Sequence, residues 1–313
     1  MRATMGSSSS NDRPHLVVGG DGMVGAALVA SLRLAGETVH ATTRRPEAQG
    51  PDRPLLDLTR PQDGAALGAG PYRTAYICAA VARLDDCFKD PPGAFAINVT
   101  NMAALANRLL ADGTHVIFLS TNQVLDGNLA FPDESASLAP SNVYGHQKAA
   151  AEQALWDLAA RHPAACVTVL RLSKVLPSEL PLFTSWAAAL ANGRPIRAAE
   201  DMSLAPLPVE LVVDALRRLA QSRWPGLFQL SSATEIDYAA AARHLCRHIG
   251  ADPALVRPVH ALAAGFVLEP PPRHTIMDSG RLTRAVGIHP PDPFAVLDRV
   301  FAHLPPPSRD PGP

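Results

Sequence analysis

Short apolar runs alternate with helical patterns along the first half of the chain. The apolar runs are rich in β-branched residues, which is typical of strands. They cover residues 15–19, 38–42, 75–80, 115–119 and 166–172. Between them, apolar residues recur at helical spacing, most clearly over 92–111 and 144–161. Because such strands must be covered on both faces, the alternation predicts a doubly wound parallel α/β sheet.

The second half of the chain is less regular. Its pattern predicts helices over 182–191, 209–221, 238–249 and 293–304, and one strand over 227–231. We therefore expect a Rossmann-type domain over 14–174 and a smaller C-terminal α/β domain over 175–304, with part of 205–231 able to return to the main sheet. Residues 1–13 and 305–313 are polar or proline-rich and are expected to be tails.

Composition argues against several classes of protein. The net charge is -1 and no long basic run appears, so neither nucleic acid nor an anionic membrane is an expected partner. No apolar run approaches the ~18–20 residues of a membrane span, and the N-terminus lacks the apolar core of a secretion signal. Four scattered cysteines have no CxxC spacing, and His244 with His248 reads better as a surface pair than as metal ligands. We expect a cytoplasmic protein without a metal.

Three glycines follow the first predicted strand and precede a helical pattern. Gly19, Gly22 and Gly25 have the spacing GxxGxxG. Glycine permits a tight turn and lets the backbone approach a pyrophosphate at the helix N-terminus, where free N–H groups favour an anion. The motif predicts a dinucleotide site that includes Met23 and Val24, and an ordinary glycine-rich turn is the alternative.

The residues after the second predicted strand bear on the choice of dinucleotide. An acidic residue there would bind the ribose hydroxyls and repel a 2′-phosphate, but the chain has Thr43, Arg44 and Arg45. A guanidinium matches a phosphate in bidentate geometry. The sequence therefore favours NADPH over NADH, with Arg44 as the main contact and Thr43 as a hydroxyl partner. Two solvated surface arginines are the alternative.

Two further segments are expected near the dinucleotide. Asp57, next to Leu58, is placed to accept a hydrogen bond from the adenine amino group, or else it caps a helix. Ala79 and Ala80 end the third predicted strand and are small enough to let the cofactor backbone pass. Alanine is common throughout this chain, so the second signal is weak without its context.

Candidate catalytic residues lie around the loop after the fourth predicted strand. Tyr144 and Lys148 are spaced i, i+4, so one helix face presents both. A phenol has an unperturbed pKa near ~10, and a nearby ammonium lowers the pKa of the tyrosine toward the working range. Thr121 can donate a hydrogen bond to the same carbonyl oxygen. Without the glycine motif, a surface Tyr–Lys pair would be the better interpretation.

Several segments together resemble one known family. Residues 120–127 (STNQVLDG) are similar to the STDYVFDG signature of the dTDP-4-dehydrorhamnose reductases, which are extended short-chain dehydrogenases/reductases. Residues 140–152 (PSNVYGHQKAAAE) are similar to their P-x-NVYG-x-x-K-x-x-x-E segment. Residues 97–106, 169–175 and 272–288 resemble further segments of the family. The combination and order of these segments make the resemblance specific.

The resemblance implies NADPH-dependent reduction of the 4-keto group of a nucleotide-activated deoxysugar, in deoxysugar, polysaccharide or glycoside biosynthesis. It implies that Tyr144 donates the proton and that Lys148 orients the nicotinamide ribose. It also implies that Thr121 polarises the carbonyl and that Asn98 holds its helix and a relay water. A nucleotide sugar would be the partner, and a homodimer is compatible with the family.

This chain departs from the family around the substrate. The family's Asp-Tyr after Ser-Thr is Asn122-Gln123 here, and its Phe is Leu125. These changes leave the reductase interpretation intact but question a rhamnose-type substrate. The candidate substrate contacts are Val81, Asn122, Gln123, Arg171, Lys174, Trp186 and Arg273. Surface charge is the alternative for Lys174 and Arg273, and core packing for Trp186.

Two other functions fit the same residues. One is a different carbonyl reductase, or an epimerase/reductase, on the same architecture. The other is a non-catalytic NADP-binding regulatory subunit, as some relatives in the superfamily are. The intact set of Thr121, Tyr144 and Lys148 favours an enzyme.

Overall fold

The computed structural model describes residues 13–60, 67, 71–267 and 269–304. The expected tails lie outside the described residues, apart from Arg13. The strands are β1 His15–Val18, β2 Val39–Ala41, β3 Thr74–Ile77, β4 His115–Thr121, β5 Cys166–Leu172, β6 Lys174–Leu176, β7 Ile196–Ala199, β8 Ser203–Leu204, β9 Pro206–Pro208, β10 Gly226–Leu230, β11 Ile236–Asp237 and β12 Val256–Val259. The α-helices are α1 Met23–Leu34, α2 Leu84–Lys89, α3 Pro91–Phe95, α4 Met102–Ala111, α5 Val143–Arg161, α6 Pro181–Ala191, α7 Val209–Ser222, α8 Tyr238–Ile249, α9 Gly280–Val286 and α10 Pro293–Phe301.

Six strands form the main sheet, in the order β10-β5-β4-β3-β1-β2. β1 pairs in parallel with both β2 and β3, and β3 pairs in parallel with β4. Since β2 lies on one side of β1 and β3 on the other, the carboxyl end of β1 is a topological switch point, where ligands of such sheets bind. The predicted doubly wound α/β sheet is confirmed, and β10 and β2 are its edge strands.

The chain divides into two compact units that interleave in sequence. Of the described residues, unit 1 takes those within 1–120, 147–170 and 213–227, and unit 2 those within 121–146, 171–212 and 228–313. The segment 121–146 was expected in the first domain but clusters with the C-terminal half. Backbone hydrogen bonds explain this: the N–H of His274 donates to Gly127 O at 2.9 Å, and the N–H of Asp278 donates to Pro132 O at 3.0 Å.

Unit 1 has a core of apolar side chains from the strands and the helices beside them. Leu16, Phe118 and Leu155 are at most 1% exposed within this cluster. The helix expected over 92–111 is observed as α3, a π-helical turn Ala96–Asn101 and α4 in succession. The π-helical turn contains the buried Asn98.

Unit 2 has its own core and three short strand pairs. β6 pairs with β9 and β7 with β12 in parallel, while β8 and β11 pair antiparallel. None of these six strands was predicted, because two to four residues are too few to show a period. Helices α6, α8 and α10 enclose a core in which the rings of Phe183 and Phe301 meet edge to face at 5.3 Å.

Candidate active site and cofactor site

The glycine turn between β1 and α1 leaves no room for side chains. Gly19 has φ +86°, and a Cβ there would lie 2.8 Å from the backbone nitrogen of Ala79. A Cβ on Gly25 would lie 2.2 Å from the carbonyl oxygen of Gly19. α1 starts with Met23 and Val24 after a glycine N-cap that has no side-chain capping bond. The first N–H groups of α1 are therefore available to an anion, and the cradle fits a dinucleotide pyrophosphate.

A charged cluster at the end of β2 differs from the one expected. Oγ1 of Thr43 donates to Oδ2 of Asp21 at 2.7 Å, and Nη2 of Arg45 donates to Oδ1 at 3.1 Å. Arg53 also donates to Oδ1 of Asp21. Arg44, expected as the main phosphate contact, has an exposed side chain, and the guanidinium groups that bond to Asp21 are those of other arginines. The guanidinium groups of this cluster belong to Arg45 and Arg53.

Asp21 and Arg53 are members of this cluster that were not predicted from the sequence. Arg53 reaches the cluster because the segment after β2 pairs with residues 52–56. The N–H of Thr43 donates to Pro54 O at 3.1 Å, and the N–H of Leu56 donates to Thr43 O at 2.9 Å. Nothing in the hydrophobic pattern indicates this pairing.

Asp57 caps a turn at residues 57–60, where the structure describes no helix, so the helix cap of the alternative interpretation is not observed. Its Oδ1 accepts a hydrogen bond from the N–H of Thr59 at 2.9 Å. Burial raises the pKa of Asp57, but the bonds from Thr59 and the charges of nearby arginines, Arg44 among them, outweigh burial and lower it. Leu58 is buried, and its carbonyl accepts from Nδ2 of Asn101 at 2.6 Å.

Asn98 ties the segment after β3 to the sequence beside Lys148. Its Nδ2 donates to Val81 O at 3.0 Å and to Oε1 of Gln147 at 2.8 Å, and its Oδ1 accepts from the N–H of Val81 at 2.8 Å. Ala79 and Ala80 directly precede Val81 and are half-buried. Both donors of the amide are engaged by protein, which favours a positioning role for Asn98 over the expected hold on a relay water.

Helix α5 carries Tyr144 and Lys148 one turn apart. Lys148 is 3% exposed, and its Nζ lies 3.8 Å from the centroid of the Phe118 ring. The same Nζ donates to the carbonyl oxygen of Leu119. Burial lowers the pKa of Lys148 to about 7, although the carboxylate of Glu152 acts in the opposite direction. Tyr144 is half-buried.

The loop after β4 is fastened to the first turn of α5. Oγ1 of Thr121 accepts from the N–H of Gln123 at 3.2 Å and donates to Oδ1 of Asn122 at 3.3 Å. Oε1 of Gln123 accepts from Nδ2 of Asn142 at 2.6 Å, and Oδ1 of Asn142 accepts from the N–H of Gly145 at 2.8 Å. A Cβ on Gly145 would lie 2.1 Å from the carbonyl oxygen of Gln123. Asn142 and Gly145 were not predicted as site residues, and their only signal is the NVYG segment.

Residues 14–304 match the family model described as the RmlD substrate binding domain. The chain belongs to this family. It is 30% identical over 267 residues to the dTDP-4-keto-6-deoxy-D-glucose reductase of Streptomyces niveus, a match that covers 84% of this chain and 87% of the relative. The resemblance inferred from the motifs is confirmed.

Solved structures share the fold of this RmlD-family chain. The dTDP-4-dehydrorhamnose reductase of Bacillus anthracis in complex with NADP has a TM-score of 0.77 at 19% identity, covering 93% of this chain and 99% of that one. The protein MoeE5 in complex with UDP-glucose and NAD has a TM-score of 0.79 at 22% identity, covering 92% and 97%. These likenesses confirm the Rossmann-type fold.

The remaining substrate candidates of the RmlD-family chain lie in different surroundings within unit 2. Arg171 is buried near the end of β5. Lys174 has an exposed side chain at the start of β6. Trp186 is 7% exposed and packs against Phe183, with ring centroids 5.7 Å apart. We therefore assign Trp186 to the core, the alternative interpretation, in place of a substrate contact.

Arg273 lines a cavity of about 640 Å³ in unit 2. The acidic residues that line it are Glu200, Asp201, Glu235 and Asp237. Because these four acidic residues outnumber the one arginine in the lining, the cavity disfavours the diphosphate that Arg273 was expected to bind.

Within the described ranges, no group of three or more His, Cys, Asp or Glu side chains could hold a metal ion. None of the helices described has the length and apolarity needed to cross a membrane.

Proposed function

We propose that this RmlD-family chain reduces the 4-keto group of a nucleotide-activated deoxysugar with NADPH, in the cytoplasm. The observation that carries the proposal is α5, on which Tyr144 and the buried Lys148 stand one turn apart. The name of the Streptomyces niveus relative supports the substrate class, and the Bacillus anthracis structure with NADP supports the cofactor. Arg45 and Arg53 supply cations suited to a 2′-phosphate.

The reaction adds a hydride to C4 and a proton to the former carbonyl oxygen. The nicotinamide supplies the hydride when NADPH is bound. Tyr144 supplies the proton: its O–H bond breaks as the alkoxide is neutralised, which leaves a phenolate. The Lys148 ammonium stabilises that phenolate, and solvent later returns a proton to it. Thr121 exchanges its long bond to Asn122 for one to the reacting oxygen.

The surroundings of Lys148 suit this role. An ammonium removed from water acts more strongly on a neighbouring charge than a hydrated one does. With a pKa of about 7, Lys148 is only partly charged at neutral pH. Phenolate formation nearby favours its charged form, so the negative charge on Tyr144 and the positive charge on Lys148 support each other.

The test is the variant Tyr144→Phe, measured by NADPH oxidation with dTDP-4-keto-6-deoxyglucose. Loss of the proton donor should lower kcat by about 10²–10⁴ and leave NADPH affinity nearly unchanged. Tyr238→Phe removes a hydroxyl on α8 and serves as the matched control. If the Tyr144→Phe variant keeps the full rate, Tyr144 is not the proton donor. Tight cofactor binding without turnover on any keto sugar would favour the regulatory-subunit alternative.

One observation favours a second candidate, the reduction of a different carbonyl compound by the same residues. Asn122 and Gln123 stand where the family signature has Asp and Tyr, and Gln123 is engaged by Asn142. The proton donor Tyr144 is still present, while Asn122 and Gln123 change the side chains that a substrate would meet beside it. A panel of dTDP- and UDP-linked 4-keto sugars beside non-nucleotide ketones separates the two candidates, since only the second predicts turnover without a nucleotide.

A further inference from the structure

Asp21 lies inside the glycine turn and gathers the cationic groups of the cofactor site. Thr43 donates to its Oδ2 at 2.7 Å, Arg45 donates to its Oδ1 at 3.1 Å, and Arg53 donates to the same Oδ1. A carboxylate of the chain therefore already occupies the two guanidinium groups that suit a phosphate.

The cluster is accessible to a ligand. The side chains of Asp21, Arg45 and Arg53 are 27%, 59% and 40% exposed. Within the part of the chain that the structure describes, the Nε of Arg53 is buried and has no hydrogen-bond acceptor, so Asp21 does not satisfy every donor of this guanidinium. Burial raises the pKa of Asp21, but the bonds from Thr43 and Arg45 and the charge of Arg53 outweigh burial and lower it. Asp21 is thus ionised at neutral pH.

We propose that Asp21 sets the preference between NADPH and NADH, because its carboxylate competes with the 2′-phosphate for Arg45, Arg53 and Thr43. The inference rests on the proposed function, since it concerns the dinucleotide of that reaction. A phosphate monoester carries about −1.5 to −2 charges at pH 7, so it can take the arginines from a carboxylate. Asp21 then loses its partners and stands beside a like charge. NADH leaves the ion pairs of Asp21 intact.

The experiment is isothermal titration calorimetry of the full chain with NADP⁺ and NAD⁺ at low salt. Asp21→Asn keeps the shape of the side chain and removes its charge. We expect this variant to bind NADP⁺ about tenfold more tightly than the wild type, with NAD⁺ affinity changed less than about twofold. The fragment 2′,5′-ADP should follow NADP⁺, and 5′-AMP should follow NAD⁺.

Two further variants keep the test specific. Glu47→Gln removes a negative charge from an exposed residue of the 46–48 turn and should leave the NADP⁺ to NAD⁺ affinity ratio unchanged. Arg53→Gln in the Asp21→Asn background should erase the gain, because the phosphate loses a guanidinium. Asp21→Ser provides a second neutral side chain if the melting temperature shows that Asp21→Asn is misfolded.

The outcomes distinguish this inference from the proposed function. An unchanged affinity ratio in Asp21→Asn would overturn the inference alone. A selective loss of NAD⁺ affinity would also overturn it and would make Asp21 an acceptor for the ribose hydroxyls. A wild-type chain that binds neither dinucleotide would overturn the proposed function together with the inference.

Discussion

The glycine turn of unit 1 and the loop after β4 in unit 2 are built in opposite ways. The glycine turn of unit 1 depends on missing side chains, since a Cβ on Gly19 or Gly25 would lie 2.8 or 2.2 Å from backbone atoms. The loop after β4 in unit 2 depends on side-chain amides, with Gln123 and Asn142 joined at 2.6 Å. No side chain fits where a glycine Cβ would clash with the backbone, whereas the Gln123–Asn142 pair can be replaced by another hydrogen-bonded pair. The glycine turn should therefore tolerate substitution less well than the loop, where Asn122 and Gln123 stand in place of the Asp and Tyr of the STDYVFDG signature.

Breaking the glycine cradle should have the largest effect. In Gly25→Ala the new methyl would lie 2.2 Å from the carbonyl oxygen of Gly19, so the turn must open and the first N–H groups of α1 must move. We expect dinucleotide affinity, measured by calorimetry, to fall at least about a hundredfold. Gly50→Ala is the control, because a Cβ there has nothing within 4 Å. Wild-type affinity in Gly25→Ala would show that the pyrophosphate binds elsewhere.

Mild acid should destabilise unit 1 before unit 2. His115 is fully buried, its Nε2 lies 2.7 Å from Oγ1 of Thr168, and burial lowers its pKa to about 3. Thr168 donates its own proton to Trp224 O, so Nε2 of His115 is the protonated nitrogen. A histidine that stays neutral when folded binds protons more readily when unfolded. Its stabilisation is complete above the unfolded pKa of about 6.5 and is lost as pH falls below it.

The carboxylate of Glu235 in unit 2 loses its stabilisation in a lower pH range. Burial raises the pKa of Glu235, but hydrogen bonds from Ser203, His274 and backbone N–H groups lower it overall. The stability that Glu235 contributes is present above its unfolded pKa and is lost only below about pH 4.5. Between pH 7 and pH 5, His115 should therefore cost about 2 kcal/mol of unfolding free energy while Glu235 costs little.

Urea unfolding at pH 7 and pH 5 checks this expectation. His115→Gln keeps a donor for Thr168 and should show a smaller loss of unfolding free energy between the two pH values than the wild type. His303→Gln, at an exposed position, should keep the wild-type pH dependence. Equal losses in all three proteins would mean that His115 does not titrate with unfolding in this range.

Removing the Glu152 carboxylate tests whether this residue sets the pKa of Lys148 in unit 1. Glu152 is 1% exposed, accepts a hydrogen bond from Ser120 and raises the pKa of Lys148 against the effect of burial. In Glu152→Gln the pKa of Lys148 should fall below about 7, so the ammonium is lost at lower pH. We expect kcat at pH 8 to fall about tenfold and the alkaline limb of the pH–rate profile to move to lower pH.

The matched control for Glu152→Gln is Asp157→Asn, an exposed acid on the same helix. It should leave both kcat and the pH–rate profile unchanged. If the alkaline limb of Glu152→Gln stays in place while kcat falls, Glu152 has a packing role and does not tune Lys148.

The sheet and the glycine turn were predictable because their signals are local. A buried parallel strand is a continuous apolar run, and the turn is a fixed glycine spacing. The cluster around Asp21 was not predictable, since the pairing that delivers Arg53 leaves no trace in the hydrophobic pattern. The π-helical turn that aims Asn98 at Val81 is likewise invisible to a helical period. The interleaving of the two units depends on backbone bonds between distant segments, which local patterns do not encode.

The smallest effect should come from the amide pair of unit 2. Gln123→Ala removes the acceptor for Nδ2 of Asn142 and should cost about 1 kcal/mol of unfolding free energy. Gln123→Glu retains an acceptor and should cost less, which would show that this pair can be exchanged as the glycine cradle cannot. Both variants should keep wild-type affinity for NADP⁺, because the glycine turn is unaltered. Because the loop holds Thr121 and the first turn of α5, Gln123→Ala should raise KM for the keto sugar more than Gln123→Glu does. Equal KM values in the two variants would show that the amide pair does not affect substrate binding and has only a structural role.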